Sequence, residues 1–299
     1  MKTFDIFLFY NELDLLELRL NTLYNVVDFF VISESNKTFS GNEKILYYNE
    51  NKDRFKKFHN KIIHNIVIDE YSNYENIDNE LHSNFTNRNV SYPHKSNGKK
   101  LKDLSLSFQR EVFQRDSIFN SLIGIASDED LILSSDADEI PNPDSILKLK
   151  IDYHPELIYH FKQKWYMYFY NNFYDKEWFG TRACSFNLLK KITVDLLRYP
   201  MEERSMQKGV IIEDGGWHFS FLGGAEKIKS KLEAYDYQGR RTSFILRFLN
   251  FIDPNYLSRR LKNNKDIFLD NRSFNVQNLD HDFPIFLLNN LEKYKEYIK

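Results

Sequence analysis

The feature that most constrains this chain is a run of β-forming side chains, Phe4-Asp5-Ile6-Phe7-Leu8-Phe9-Tyr10, that passes directly into an amphipathic helix pattern. A run this short and apolar suits an interior strand. Asn11 then reads as the N-cap, with Asp14 at the reciprocal position of a shortened capping box. Leu13, Leu16, Leu20 and Leu23 recur at helical spacing, while Glu12, Glu17 and Arg19 take the other positions. Asp28 to Ser33 reads as a second strand and Ile62 to Ile68 as a third. Helical periodicity returns from Leu104 to Leu122, through Phe108, Val112, Ile118 and Phe119, and Leu131-Ile132-Leu133 makes a compact buried strand. Such alternation predicts an α/β fold with a mostly parallel central sheet, which binds ligands beyond the carboxyl ends of its strands.

At that edge stands Asp136-Ala137-Asp138-Glu139. On an extended segment, Asp-x-Asp puts both carboxylates on one side. A divalent cation held there neutralises the charge that develops on a departing diphosphate. A calcium loop of the EF-hand type fails, because Ile140 and Pro141 stand where an oxygen ligand and a glycine are needed. Two other readings stay open: a metal-dependent phosphohydrolase with Asp136 as nucleophile, and a solvated acidic turn capping a helix near Asp144.

Further along, Gly215-Gly216 precedes Trp217-His218; the glycines let backbone approach a phosphate, and the imidazole of His218 is a candidate metal ligand. Asp214, beside Glu213, and Glu139 are candidates for the general base of an inverting transfer, while a turn capped by acids explains Glu213 and Asp214 equally well. Arg110, Arg115 and Asp116 lie on the helix leading into the acidic strand, where a basic group reaches donor phosphates or simply faces solvent. The aromatic stretch from Trp165 to Tyr174 reads either as a stacking surface for sugar rings or as buried strand. The first alternative includes a non-catalytic carbohydrate-binding protein.

Composition narrows the partners. The 299 residues carry 41 basic and 43 acidic side chains, net charge -2, so there is no overall basic field for nucleic acid. Cys184 is the only cysteine, which excludes an intrachain disulfide and a cysteine-based zinc cluster. The start of the sequence has no signal-peptide pattern, and no apolar run reaches the ~20 residues that span a bilayer. A cytoplasmic protein is expected, with peripheral membrane contact left open. The Asn-rich stretch from Asp69 to Lys102 is expected to be a surface excursion, and the last eighty or so residues to be mainly helical.

Taken in order, several blocks resemble glycosyltransferase family 17, the family of β-1,4-mannosyl-glycoprotein β-1,4-N-acetylglucosaminyltransferases. They are Phe7 through Leu20, Phe30 through Ser35 with Thr38 through Gly41, Gln114-Arg115-Asp116, Ser135 through Pro141, and Gly215 through His218. The resemblance implies a GT-A-like nucleotide-sugar-binding fold and an inverting transfer from a UDP-sugar, N-acetylglucosamine among the candidate sugars. It implies a divalent metal at Asp136 and Asp138, manganese first and magnesium as the alternative. It also puts Asn11, Glu12 and Glu34 near the donor nucleotide, with Arg115, Asp116 and Asp136 as further donor contacts. The catalytic domain is expected at 1–250, with a helical extension at 251–299 packed on it. Because the sequence starts directly at that domain, the expected acceptor is a surface polysaccharide or lipid-linked glycan.

Overall fold

The computed structural model describes residues 1–72, 74, 104–198, 209–234, 254–268, 272 and 274–299. The chain forms two units, Met1–Gln163 with Phe179–Gly216, and Lys164–Trp178 with Trp217–Lys299. Ten strands are described: β1 (Thr3–Leu8), β2 (Phe29–Ser35), β3 (Ile62–Val67), β4 (Leu131–Asp136), β5 (Glu139–Pro141), β6 (Ile158–Met167), β7 (Asn172–Ser185), β8 (Gly209–Ile212), β9 (Gly216–Ser220) and β10 (Phe274–Val276).

In the first unit the opening run becomes β1, buried on both faces, as suits a strand inside a parallel sheet. It pairs in parallel with β2 on one side and β4 on the other, and β3 continues in parallel beyond β2. Beyond β4 the direction reverses. β7 runs antiparallel to it, from Leu131 opposite Ser185 to Ser134 opposite Arg182. The sheet is therefore mixed, which corrects the expectation of a mostly parallel one. The part of β7 that pairs with β4, Arg182-Ala183-Cys184-Ser185, is buried but mixed in polarity, so no apolar run announces it.

Helix Leu13–Leu23 follows β1 as the leucine spacing predicts, but its N-cap is Glu12, which makes no side-chain capping bond. Asn11 instead donates its backbone N–H to Glu12 Oε2 at 3.1 Å, so the predicted capping box does not form. The periodicity over 104–122 resolves into helix Leu106–Asp116, capped by Ser105, and a 3-10 segment Ser117–Ser121. Of the predicted surface excursion, residue 73 and residues 75–103 lie outside the described residues. Helix Pro143–Ile151 is capped by Asn142, whose side chain accepts from Asp144 N–H. The acidic cluster is thus not its cap. Phe4, Ile6, Val31, Ile132, Ile158, Cys184 and Leu188 share one buried core.

In the second unit β9 pairs in parallel with the end of β6, and β10 pairs antiparallel with Asn172–Tyr174 of β7. Helices Gly224–Ala234 and Pro254–Lys262 bury Ile228, Leu232, Leu257 and Leu261 against Met167, Tyr168 and Ile267. The predicted helical C-terminal region thus includes a strand as well, and part of it, 235–253, lies outside the described residues. Among the described residues no helix is long and apolar enough to cross a membrane.

Candidate active site

β4 delivers Asp136 to the carboxyl edge of the parallel strands, next to the end of β1: Leu8 is its register partner. Asp136 ends the strand, Ala137 and Asp138 form a turn, and Glu139 begins β5. The two carboxylates therefore do not share an extended segment, as the sequence reading assumed. The turn puts them in different surroundings. The Asp136 side chain is one-third exposed, at 34%, whereas Asp138 is buried.

The turn is gripped from below by Arg19. Its guanidinium is fully buried and pairs with Asp5, Nε to Oδ2 at 2.8 Å and Nη2 to Oδ1 at 2.6 Å. The same group donates from Nη1 to the carbonyl oxygens of Asp136 at 3.1 Å and Glu139 at 2.7 Å, and from Nη2 to the Ser135 hydroxyl. A buried charge is tolerated only when paired and hydrogen-bonded, and this one is. The sequence reading left Arg19 on the polar face of its helix. Asp5, an acid inside an otherwise apolar strand, was the signal that a buried partner had to exist.

Two more arginines hold the Asp136 carboxylate. Arg115 Nη1 donates to Oδ1 at 2.9 Å and Arg198 Nη2 to Oδ2 at 3.1 Å. Burial works against the Arg115 charge, but Asp136, Glu111 and Asp195 outweigh it and hold its pKa well above the ordinary arginine value. Burial also opposes the charge on Arg198, where Asp136 and Glu139 win and raise its pKa. Arg198 had no signal in the sequence, since it lies 62 residues from Asp136 on an unremarkable short helix.

Glu139 is enclosed. Oε2 accepts the Asp136 backbone N–H at 2.7 Å, and both oxygens face Arg198, at 2.8 Å and 2.7 Å. Gly180 leaves the space that this requires, because a Cβ there would stand 2.6 Å from the Glu139 carboxyl carbon. Asp116 is fully buried and accepts the backbone N–H of Asp195 at 2.7 Å, which sets Asp195 beside Arg115 Nε at 3.2 Å. Arg110 turns to the Phe39 carbonyl and Asp69. The three guanidiniums Arg19, Arg115 and Arg198 thus touch five carboxylates, Asp5, Glu111, Asp136, Glu139 and Asp195. The formal charge is negative even before Asp138 is counted.

The remaining predicted residues are spread more widely. Asn11 and Glu12 are half-buried just past the end of β1. Glu34, at the end of β2, is fully buried; it accepts the backbone N–H groups of Tyr48 at 2.7 Å and Asn49 at 3.2 Å and bonds His64 Nε2 at 2.9 Å. Asp214 is exposed in a turn with φ 49°, and its carbonyl accepts from Ser145. The glycine pair answers to packing: a Cβ on Gly215 would stand 2.5 Å from Lys162 N, and one on Gly216, at φ 116°, 2.2 Å from Ile140 O. That close approach to neighbouring backbone is by itself a reason for glycine at both positions. His218, in the second unit, is buried and packs against both Trp165 and Trp178, which also touch each other. Among the described residues, the one trio of ligand-type side chains close enough to share an ion is Asp280, His281 and Asp282, all exposed and none of them expected.

Strands with a mixed parallel core, and a carboxylate pair at their carboxyl edge, define a class that handles ligands at that edge. The comparison with known families makes the class specific: residues 1–89 and 73–274 match the model of glycosyltransferase family 17. The chain belongs to glycosyltransferase family 17, and it is an enzyme that transfers a sugar from a donor to a glycan acceptor. No curated protein matches the chain at a significant level.

Proposed function

We propose that the protein is a GT-A-like, inverting, metal-dependent glycosyltransferase that uses a UDP-sugar, N-acetylglucosamine among the candidate sugars, and a surface polysaccharide or lipid-linked glycan as acceptor. The observation that carries this reading is the Asp136–Asp138 turn at the carboxyl end of β4, held by Arg19 and set in a locally negative cluster. Family membership supports the class of reaction and sets aside the phosphohydrolase and binding-protein readings.

A hard divalent ion is the cofactor we propose for this turn. Manganese or magnesium at such sites is held by one or two carboxylates and completes its shell with substrate phosphate oxygens and water. Asp138 is the favoured ligand, because both oxygens of Asp136 already carry guanidinium groups. When bound, the ion stabilises the charge of the departing nucleoside diphosphate.

The protein's own residues divide the remaining work. Arg115 and Arg198 fix Asp136, which then presents its exposed edge to the donor. Asn11 and Glu12, at the end of β1, border the nucleotide. Glu34, Asp116 and Glu139 act by positioning, since their carboxylates are buried in hydrogen bonds. Asp214, exposed, is the proposed base that takes the proton from the acceptor hydroxyl as that oxygen attacks the anomeric carbon.

The test is binding and hydrolysis of a panel of nucleotide sugars with and without Mn²⁺, on the wild type and on Asp138→Ala. One UDP-sugar bound only with metal, and lost in the variant, names the donor. No nucleotide-sugar binding under any metal condition sinks the proposal.

A further inference from the structure

The aromatic stretch that the sequence left open divides into two groups. Tyr166, Met167, Tyr168 and Tyr170 are buried in the core of the second unit. Trp165, Tyr174 and Trp178 are only half-buried, and they gather around His218. The Trp178 ring stacks on the imidazole at 4.6 Å and the Trp165 ring on it at 5.5 Å; the two indoles lie 4.9 Å apart, and Tyr174 meets Trp165 edge-on at 4.9 Å.

We propose that the half-exposed faces of Trp165, Trp178 and Tyr174 form a subsite for a pyranose ring of the acceptor glycan. The inference rests on the chain's transfer to a glycan acceptor and names where one of its sugars is held. Three features favour a sugar. First, the rings are neutral and offer broad apolar faces, which suit the C–H face of a pyranose and give a phosphate nothing to bind. Second, the platform is locked before the ligand arrives. Trp165 Nε1 donates to Ser220 Oγ at 2.8 Å, and Trp165, Trp178 and His218 each pack against the other two, so little rotamer freedom is lost on binding. Third, the rim is polar. The Arg272 guanidinium sits over the Tyr174 ring, 5.4 Å from its centre, and Glu177 is exposed beside Trp178 in the chain, so hydrogen-bonding side chains border the rings. Ligand sites of this composition, mostly aromatic with few polar groups, are the general rule for small concave or flat recognition surfaces.

The experiment needs neither donor nor metal, so its failure is separable from failure of the donor reading. The full chain is titrated with methyl β-glycosides of glucose, galactose, mannose and N-acetylglucosamine and with their short oligomers, read by tryptophan fluorescence and saturation-transfer NMR. At least one saccharide is expected to bind the wild type. Trp178→Ala should weaken it about tenfold or more, a loss of one hot-spot contact. Trp178→Phe and Trp165→Phe should lose less, because a ring face remains. UDP affinity, measured in a parallel control with Mn²⁺ added, should be unchanged in all three. The proposal is overturned if no saccharide binds the wild type, if Trp178→Ala binds as well as the wild type, or if Trp178→Phe loses saccharide and UDP together.

Discussion

The buried guanidinium of Arg19 donates 3.1 Å to the carbonyl oxygen of Asp136, so a residue on the first helix fixes the backbone of the acidic turn. Asp5 holds the other side of that guanidinium. Arg19→Leu leaves Asp5 buried without its partner, and breaking a buried pair in this way costs about 3–5 kcal/mol. Urea unfolding should show that loss. Arg19→Lys keeps a charge but not the fork, and is expected to retain the fold while losing transfer activity. Wild-type activity in Arg19→Lys would mean that the grip on the turn is dispensable.

The unequal surroundings of the two aspartates predict different variants. Asp138→Asn should abolish Mn²⁺-dependent donor binding, measured by calorimetry. Asp136→Asn should keep metal affinity within a few fold while slowing transfer, since it frees Arg115 and Arg198 from their shared anchor. The exposed trio offers the control: Asp280→Asn with Asp282→Asn should leave donor-dependent metal binding intact. A metal affinity that tracks the trio and ignores Asp138 would move the ion elsewhere.

Gly180 is the gap that accommodates Glu139. In Gly180→Ala the new methyl would meet Gln163 Oε1 at 2.3 Å and the Glu139 carboxyl carbon at 2.6 Å. Overpacking of that kind costs about 1–3 kcal/mol, and here it pushes on the carboxylate that holds Arg198 and the Asp136 N–H. Thermal melting and activity should fall together.

Tyr48 predicts alkaline behaviour. Burial, with the Glu34 charge adding to it, raises its phenol from 10.0 to about 12. The unfolded chain gives up this proton first, so the stability due to the neutral phenol is intact below about pH 10 and is lost as pH rises towards about 12. Tyr48→Phe removes the titration. The difference in melting temperature between wild type and Tyr48→Phe should therefore shift in favour of the variant across that window, and a difference independent of pH would refute the assignment.

Much of the fold's first half was legible because β1 and helix Leu13–Leu23 state their periods plainly. What escaped did so for physical reasons. β7 is hard to see because the segment that pairs with β4, Arg182 to Ser185, is buried while carrying polar side chains. Arg198 reaches Asp136 and Glu139 across 62 and 59 positions, a spacing no local pattern encodes. Glu34, which the family resemblance puts near the donor nucleotide, has its oxygens engaged by two backbone N–H groups and His64, partners that no local pattern in the sequence announces. Only Arg19 was recoverable, from the lone acid in β1.

Because Arg19 seizes carbonyl oxygens and not the aspartate side chains, the chemistry of the turn can be erased without dismantling it. An Asp138→Asn protein should therefore keep the backbone of the turn while no longer taking up its donor, a folded blank against which donor uptake by the wild type can be read.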